Sequence, residues 1–302
     1  MVGQLNYPSV AILMTTYNGG QFLEEQIQSL VSQKQVVIQI YVNDDGSTDN
    51  TLDILQKWKD KGFVANISRS DRIGPSSAFQ KLLQENLNKE YIAFCDQDDI
   101  WSPNKLTEQI RLMTSKVPTL VFTDRELFTK HQVNSKKNKS RAFKPSFRNA
   151  LLENVAPGNT ILINKEAAHM LSAFAEPRVA HYDAWFYLII SSVGQVQYVK
   201  DKLVKYRLHD NNLVGIRSGE DFSPFNSLRN YFDNAQFFHD FKTGSLGQND
   251  EEYFSRFISL IHERNRFVRL SKALKLQIHR QKRLHSLFVR IFLLAGILFG
   301  KI

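Results

Sequence analysis

Cysteine is nearly absent from this chain of 302 residues, which has a single thiol at Cys95. One cysteine excludes an internal disulfide framework and is typical of proteins from a reducing compartment. The amino-terminal residues also lack the basic stretch and long apolar run of a secretory signal. We therefore expect a cytoplasmic location.

Several common ligand-binding motifs are missing as well. No Walker-type lysine loop occurs, and no GxGxxG pattern follows the first apolar run, which argues against an ATPase and against a dinucleotide-binding protein. No pair of Cys or His residues has the spacing of a zinc site. A nucleotidyltransferase is disfavoured too, because no phosphate loop rich in Gly and Arg follows the first apolar run.

Negative charge is scarce near the carboxyl end. Residues 256–302 contain eleven Lys and Arg but one acidic residue, Glu263, and so carry +10. Because the whole chain carries +9, the first 255 residues sum to −1. A nucleic-acid-binding protein that uses this basic tail is an alternative from another functional class. The confinement of the charge to the tail, and the apolar end of that tail, argue against nucleic acid as a partner.

Short apolar runs alternate with helical patterns through the first half of the chain. This alternation predicts an α/β fold, with a mostly parallel, Rossmann-like sheet and helices on both faces. The predicted strands are Val10–Met14, Val37–Val42, Val64–Ile67, Tyr91–Cys95 and Thr119–Phe122. The predicted helices are Phe22–Leu30, Thr51–Lys59, Ala78–Leu83 and Pro103–Met113.

Three carboxylates, those of Asp96, Asp98 and Asp99, follow the fourth predicted strand within four residues. Like charges this close repel one another and are costly to bury unpaired. An all-oxygen cluster suits a hard divalent ion, Mn²⁺ or Mg²⁺, which commonly bridges a protein to substrate phosphates. The alternative is an acidic turn before a helix with Ser102 as its N-cap and Pro103 at its first position.

Polar residues also follow the first and second predicted strands, at 15–20 and 43–49. Because ligands bind at the carboxyl ends of strands in such sheets, we expect these segments to share a site. Two later segments carry candidate groups, His181–Phe186 at the head of an apolar helix and Tyr206–His209 after a strand. The basic segment 128–144 is either a solvated loop or a lid that meets phosphates.

Five segments in this order resemble the glycosyltransferases of family 2, which have the GT-A fold. They are Thr16-Tyr17-Asn18, Asp44-Asp45-Gly46-Ser47-Thr48-Asp49, Asp96-Gln97-Asp98-Asp99-Ile100-Trp101, His181-Tyr182-Asp183-Ala184-Trp185 and Tyr206-Arg207-Leu208-His209-Asp210-Asn211-Asn212. The resemblance covers about Ser9 to Gly215 and is greatest to the rhamnosyltransferase-type branch, which builds bacterial surface polysaccharides from dTDP-rhamnose. Two departures are Asn43, where small apolar residues are usual, and the lysine-rich basic segment.

The resemblance implies a role for each matching residue. Thr15, Tyr17 and Asp44 would line the nucleobase pocket, with Asp45 beside them in the nucleotide-sugar site. Asp96 and Asp98 would hold the metal and the ribose, with Asp99 and Trp101 supporting them. Arg207 and His209 would approach the metal-bound diphosphate, with His209 also a ligand of the metal. Asp183 would be the catalytic base, with Tyr182 and Trp185 able to stack on a sugar.

The implied activity is metal-dependent transfer of a sugar with inversion, from a dTDP- or UDP-sugar to a lipid-linked or polysaccharide acceptor. One base without an enzymic nucleophile gives a single displacement. L-rhamnose is the expected sugar, and a UDP-hexose donor is the alternative.

The chain is expected to divide into a catalytic domain, residues 1–220, and a helical extension, residues 221–302. Apolar residues such as Phe257, Ile261, Phe267 and Leu274 recur there at roughly helical spacing. The final apolar run, Ile291–Phe299, has nine residues and is too short to span a bilayer. We interpret the extension as a peripheral contact with the anionic inner face of the plasma membrane. Packing on the catalytic domain or homodimer formation is the alternative.

Overall fold

The computed structural model describes residues 7–129, 143–175, 178–209, 224–241 and 246–276. Within them, eight strands form one sheet in the order β3-β2-β1-β4-β7-β6-β8-β5. The strands are β1 (Ser9–Thr16), β2 (Val37–Asp44), β3 (Val64–Arg69), β4 (Tyr91–Cys95), β5 (Ile100–Trp101), β6 (Thr119–Phe128), β7 (Ile161–Asn164) and β8 (Gln195–Arg207). All five predicted strands are therefore confirmed.

Helices follow most strands and cover both faces of the sheet. In the described residues they are α1 (Gly20–Val31), α2 (Thr51–Asp60), α3 (Gly74–Glu85), α4 (Lys105–Ile110), α5 (Phe147–Ala150), α6 (Lys165–Ala173), α7 (Tyr182–Val193), α8 (Pro224–Phe241), α9 (Gln248–Ile261) and α10 (Arg266–Lys275). The four predicted helices correspond to α1–α4, which confirms the α/β alternation.

Strand order places a crevice beside β1. This strand pairs in parallel with β2 on one side and with β4 on the other. The chain passes from β1 to β2 and β3 and then returns to β4 on the opposite side. In open α/β sheets such a switch point opens a crevice at the carboxyl ends of the strands. The predicted polar segments after β1, β2 and β4 meet there.

Two apolar cores lie on opposite faces of the sheet. Alternate residues of β1 supply each of them, because side chains of a strand point to the two faces in turn. Val10, Ile12 and Met14 pack with α1, α2 and α4, whereas Ala11 and Leu13 pack with the side that holds α3 and α5–α9. Both faces are buried, which explains why the strands read as continuous apolar runs.

The expected start of the fourth helix is wrong. Helix α4 begins at Lys105 with Asn104 in the N-cap position, and no side chain caps it. The backbone N–H of Ser102 instead donates to the Leu203 carbonyl at 2.9 Å, next to the pairing of β5 with β8. The sheet therefore keeps Ser102 in strand-like pairing, which the local sequence alone does not reveal.

The described part of the extension packs on the catalytic fold. Buried residues of α8 and α9, including Leu228, Phe238, Phe254 and Phe257, belong to the same apolar core as α5 and α7. Helix α10 contributes Ala273 to the same core, but its Phe267 is 68% exposed and its Leu274 is 50% exposed. In the described ranges, no helix is both long enough and apolar enough to cross a bilayer. Residues 130–142 of the predicted lid, and the apolar end of the chain, lie outside the described residues.

Candidate functional site

Gln97 joins the ends of β1 and β4 across the crevice. Its Oε1 accepts a hydrogen bond from the Tyr17 backbone N–H at 2.9 Å, and its Nε2 donates to the Tyr17 carbonyl at 3.1 Å. A Cβ at Gly19 would lie 2.1 Å from that Oε1, so the contact requires glycine there. The Gln97 side chain thus holds the loop that carries Tyr17 against the loop that carries the acidic cluster.

Asp44 and Asp45 have different surroundings at the end of β2. The Asp44 carboxylate is fully buried and accepts hydrogen bonds from Thr16 Oγ1 at 2.9 Å and from the Ser47 backbone N–H at 2.9 Å. Gly46 has a φ of +89°, and this turn lets the chain fold back so that Ser47 reaches Asp44. The nucleobase role of Asp44 stays a prediction, and its carboxylate already serves as an internal acceptor.

Asp45 is half-buried and organises the segment after β3. Its Oδ1 accepts from the Ile73 N–H and its Oδ2 from the Gly74 N–H, both at 2.8 Å. The neighbouring Arg72 donates to the Tyr17 hydroxyl at 2.8 Å and lies over its ring. Tyr17 is 41% exposed and Thr15 is half-buried, so a flat aromatic surface faces solvent at this end of the crevice.

The acidic cluster after β4 is crowded and poorly hydrated. Burial, reinforced by the charges of Asp99, Asp98 and Asp183, raises the pKa of the Asp96 carboxyl well above its ordinary value. Burial, followed by the Asp98 charge, raises the pKa of Asp99 to about 7. The like charges of these carboxylates repel one another, and a cation in the site would relieve that repulsion.

Asp98 pairs with His209, so the segment after β8 meets the segment after β4. Their Oδ2 and Nε2 atoms are 2.9 Å apart. Arg207 also holds the two segments together. Its Nε donates to the Asp98 carbonyl at 2.9 Å, and its Nη2 forms an ion pair with Glu25 of α1 at 2.5 Å. Two residues predicted to approach one diphosphate are thereby brought to Asp98.

Asp99 links this arrangement to the other side of the site. Its Oδ1 accepts from the Arg207 backbone N–H at 3.1 Å, and its Oδ2 accepts from the Asn159 side-chain amide. Asn159 belongs to a short 3-10 helix, Gly158–Thr160. The Gly158 N–H in turn donates to Asp183 Oδ2 at 3.1 Å. Asp99 therefore connects, through neighbouring residues, the Asp98–His209 pair and Asp183.

Asp183 occupies the first turn of α7, where the helix dipole favours a carboxylate. Its Oδ1 accepts a hydrogen bond from the backbone N–H of Ala184 at 2.8 Å. Burial is the main effect on the group and raises its pKa above the ordinary aspartate value. A raised pKa suits a carboxylate that has to accept a proton.

The expectation that Tyr182 and Trp185 stack on a sugar is wrong for Trp185. That side chain is fully buried, and its indole N–H donates to the Phe174 carbonyl at 2.8 Å. Tyr182 is 7% exposed and packs on Phe79 and Phe94. Trp101 is also buried, beneath the ammonium of Lys105. These aromatic side chains support the site from inside the core.

Sequence reasoning missed four side chains of the site. Gln97 and Asn159 carry no charge, and Glu25 is one of two adjacent glutamates on α1, so the sequence alone does not single out any of the three. Arg125, at the far end of β6, has no motif around it. In each case the signal is tertiary, since the partner residues are distant in the sequence.

The described residues contain no group of three or more His, Cys, Asp or Glu side chains that could hold a metal ion. Asp98 and His209, which contact each other, are the best candidates for metal ligands, and Asp96 belongs to the same acidic cluster. Two protein ligands fit Mg²⁺ or Mn²⁺ when substrate phosphates and water complete the shell. The donor set is thus compatible with a metal that arrives with its substrate.

Two solved structures resemble this fold. The structure titled as Staphylococcus aureus TarS 1-349 in complex with UDP-GlcNAc has a TM-score of 0.59 at 15% identity and covers 96% of this chain and 82% of its own. The mannosyltransferase PcManGT of Pyrobaculum calidifontis, in complex with GDP-Man and Mn²⁺, has a TM-score of 0.56 at 15% identity and covers 95% and 81%. These likenesses show the fold, and the GT-A class predicted from the sequence is confirmed.

Sequence relatives are closer. The dTDP-rhamnosyl transferase RfbG of Shigella flexneri is 31% identical over 227 residues, which are 67% of this chain and 73% of the relative. The putative teichuronic acid biosynthesis glycosyltransferase TuaG of Bacillus subtilis is 25% identical over 209 residues, or 68% and 81%. The family model for glycosyl transferase family 2 matches residues 11–174, more than half of the chain. This protein, with its acidic crevice beside β1, belongs to glycosyl transferase family 2.

Proposed function

We propose that the protein transfers L-rhamnose from dTDP-rhamnose, with inversion, to a lipid-linked or polysaccharide acceptor in bacterial cell-surface glycan synthesis. Its 31% identity to RfbG, whose name specifies a dTDP-rhamnosyl transferase, supports the donor. Its likeness to TuaG, named for teichuronic acid biosynthesis, supports the polysaccharide product. The single observation that carries the reaction is the linkage of the Asp98–His209 pair to Asp183 through Asp99.

The Asp98–His209 pair suits the departure of the leaving group, and Asp183 suits the attack of the acceptor hydroxyl. Cleavage of the bond between the anomeric carbon and the diphosphate leaves negative charge on the leaving group. The Arg207 guanidinium lies beside Asp98, and its positive charge favours an anionic leaving group there. At the other end, Asp183 takes the proton of the attacking sugar hydroxyl. Attack opposite the leaving group inverts the anomeric centre.

A divalent metal ion, Mn²⁺ or Mg²⁺, completes the donor side in this proposal. Asp98 and His209 would hold it, with Asp96 close by, and it would act as a Lewis acid on the diphosphate. The Mn²⁺ bound in the PcManGT structure supports this assignment.

The nucleotide would occupy the crevice between the ends of β1 and β2. Tyr17 offers an exposed ring, and Asp45 orders the backbone beside it. The UDP-GlcNAc complex of TarS supports a pyrimidine nucleotide, and a UDP-hexose is therefore the alternative donor.

Transfer to a lipid-linked acceptor would take place at the cytoplasmic face of the plasma membrane. The tail of +10 beside a body of −1 supports attachment to an anionic surface. The exposed Phe267 and Leu274 of α10 supply apolar contacts next to that charge.

A donor screen tests the proposal. Purified protein is incubated with Mn²⁺ and a panel of dTDP-, UDP- and GDP-sugars, and release of the nucleoside diphosphate is measured. We expect turnover of dTDP-rhamnose that ceases when the metal is chelated. Preference for a UDP-hexose would select the alternative donor, and preference for a GDP-sugar would overturn the pyrimidine assignment.

The variant Asp98→Asn is the matched test of the donor side. It should lose turnover while the melting temperature stays the same or rises, because one charge leaves a crowded acidic cluster. Asp53→Asn, on the exposed face of α2, is the control and should behave as wild type. An active Asp98→Asn enzyme with unchanged metal dependence would contradict the assignment.

A further inference from the structure

Arg125 enters the site from β6, whose pairing with β8 is irregular at this point. The register shifts on both sides of Asp124, after which Arg125 lies opposite Val204. Such a bulge re-aims the side chains that follow it. The Arg125 guanidinium lies over the Tyr206 ring, with its central carbon 4.3 Å from the ring centre. Val204 also pairs with Trp101 of β5, two residues after Asp99, so the register places Arg125 in the region of the acidic cluster.

This guanidinium is not satisfied by the described residues. No carboxylate in the described ranges forms an ion pair with it, and its side chain donates no hydrogen bond there. Arg207, by contrast, has both an ion pair and a hydrogen bond. A half-buried guanidinium with five N–H donors and an aromatic face as its contact retains most of its capacity to bind an anion.

The Arg125 charge acts on both halves of the site. Burial raises the pKa values of Asp96, Asp99 and Asp183, and Arg125 opposes that rise at all three. Asp96 and Asp99 belong to the donor side, and Asp183 belongs to the acceptor side. These directions agree with the position of Arg125 in the sheet, where it shares a register row with Trp101, two residues after Asp99.

We propose that Arg125, held on the Tyr206 ring, binds a phosphate oxyanion of a substrate. The inference rests on the proposed function, since sugar transfer to a lipid-linked acceptor involves two diphosphate groups. One is the diphosphate of the donor, and the other is a pyrophosphate that links an acceptor sugar to its lipid. An arginine recognises either by two parallel N–H···O bonds, which a lysine cannot reproduce.

The experiment measures binding by calorimetry for Arg125→Gln, Arg125→Lys and a control. Arg111→Gln is the control, because Arg111 is an exposed arginine whose ion pair with Glu108 lies on α4. The probes are dTDP, dTMP and thymidine with Mn²⁺, and then geranyl pyrophosphate in the presence of saturating dTDP. Melting temperatures confirm that each variant is folded, and Arg125→Lys keeps the test usable if Arg125→Gln does not fold.

Two results support the inference and identify the source of the phosphate. If Arg125 contacts the donor, Arg125→Gln weakens dTDP binding by about tenfold and thymidine binding not at all, with Arg125→Lys in between. If it contacts the acceptor, dTDP affinity is unchanged and geranyl pyrophosphate binding falls by a similar factor. The control should match wild type in both series.

Wild-type affinities retained by Arg125→Gln for both dTDP and geranyl pyrophosphate would overturn the inference alone. Wild-type protein that binds no nucleoside diphosphate with Mn²⁺ would overturn the proposed function, and this inference with it. The two failures are therefore distinguishable.

Discussion

Three aspartates separated by at most two residues, Asp96, Asp98 and Asp99, have different environments. Asp98 is 14% exposed and faces His209, whereas Asp99 is fully buried and accepts hydrogen bonds from Asn159 and Arg207. Hydrogen bonds to a buried carboxylate partly offset its loss of hydration. We therefore propose that Asp98 takes part in the chemistry, whereas the hydrogen bonds of Asp99 align the two sides of the site.

Asp183→Asn should reduce turnover by at least about 10²-fold, because an amide cannot accept the hydroxyl proton. Nucleotide affinity should barely change, since Asp183 faces the acceptor in the proposed mechanism and contacts the donor-side residues only through Gly158, Asn159 and Asp99. Steady-state kinetics together with nucleotide titration separates the two quantities. Weakened nucleotide binding with turnover intact would show that Asp183 is not the base.

At single positions the sequence predicted which residues converge but not how each is buried. Asp98, His209 and Arg207 were expected together and lie together. The sequence could not show that the side chains of Asp44 and Trp185 are buried. The same polar motif or apolar helix could expose or bury a given side chain, depending on what packs against it. Burial depends on packing by distant segments such as Phe174.

At the scale of elements, helix α4 carries a lysine that is fully buried. Lys105 is fully buried, lies 3.6 Å above the Trp101 ring and donates to Gln109 Oε1 at 3.0 Å. Burial lowers the pKa of its ammonium to about 7. The folded protein therefore releases this proton at a pH where the unfolded chain still holds it.

Lys105→Met should change the pH dependence of stability in a defined direction. Between about pH 7 and 10 the unfolded state binds more protons at this residue than the folded state, so the wild type gains stability as pH rises. The variant lacks this gain, and below pH 7 neither protein has it. Denaturant unfolding from pH 6 to 9.5 measures the difference, with exposed Lys59→Met of α2 as control. Parallel curves for wild type and Lys105→Met would contradict a neutral buried lysine.

Element positions were predictable where the pattern is local. The strands β1–β4 and β6 and the helices α1–α3 each carry their apolar periodicity within one segment. The start of α4, the bulge at Asp124 and the 3-10 helix at Gly158 depend on pairing with other strands. A Cβ at Gly158 would lie 2.0 Å from the Tyr182 hydroxyl, a constraint invisible before the two segments meet.

For the whole molecule, the excess of positive charge lies at the carboxyl end of the chain, beside a helix with exposed apolar side chains. Helices α8 and α9 are buried against the catalytic core, but α10 exposes Phe267, Val268 and Leu274. Basic residues continue beyond it, with no acid after Glu263. Each basic residue near an anionic surface contributes about 1 kcal/mol, and the apolar side chains add a contribution that salt does not screen.

Liposome co-sedimentation tests this arrangement on the full chain. We expect binding to anionic vesicles that weakens with salt but does not vanish, and reduced binding after deletion of Leu287–Ile302. Phe267→Ser should lower the salt-resistant part, whereas Leu112→Ser, at an exposed site remote in sequence, should not. Hydrolysis of a soluble donor should survive each change. Equal binding to neutral and anionic vesicles would leave the tail as a packing or dimerisation element.

The single thiol of the chain can be used to measure how often the strand that carries it becomes exposed to solvent. Cys95 is fully buried at the end of β4, and its sulfur accepts a hydrogen bond from Gln26 at 2.9 Å. Burial, together with the charges of Asp96 and Asp99, raises the pKa of this thiol well above its ordinary value, so it is unreactive in the closed protein. An alkylating reagent therefore labels a molecule only while the strand beneath the acidic cluster is exposed. The labelling rate therefore reports how often this strand is exposed, and a ligand that stabilises the folded protein slows labelling without contacting the sulfur.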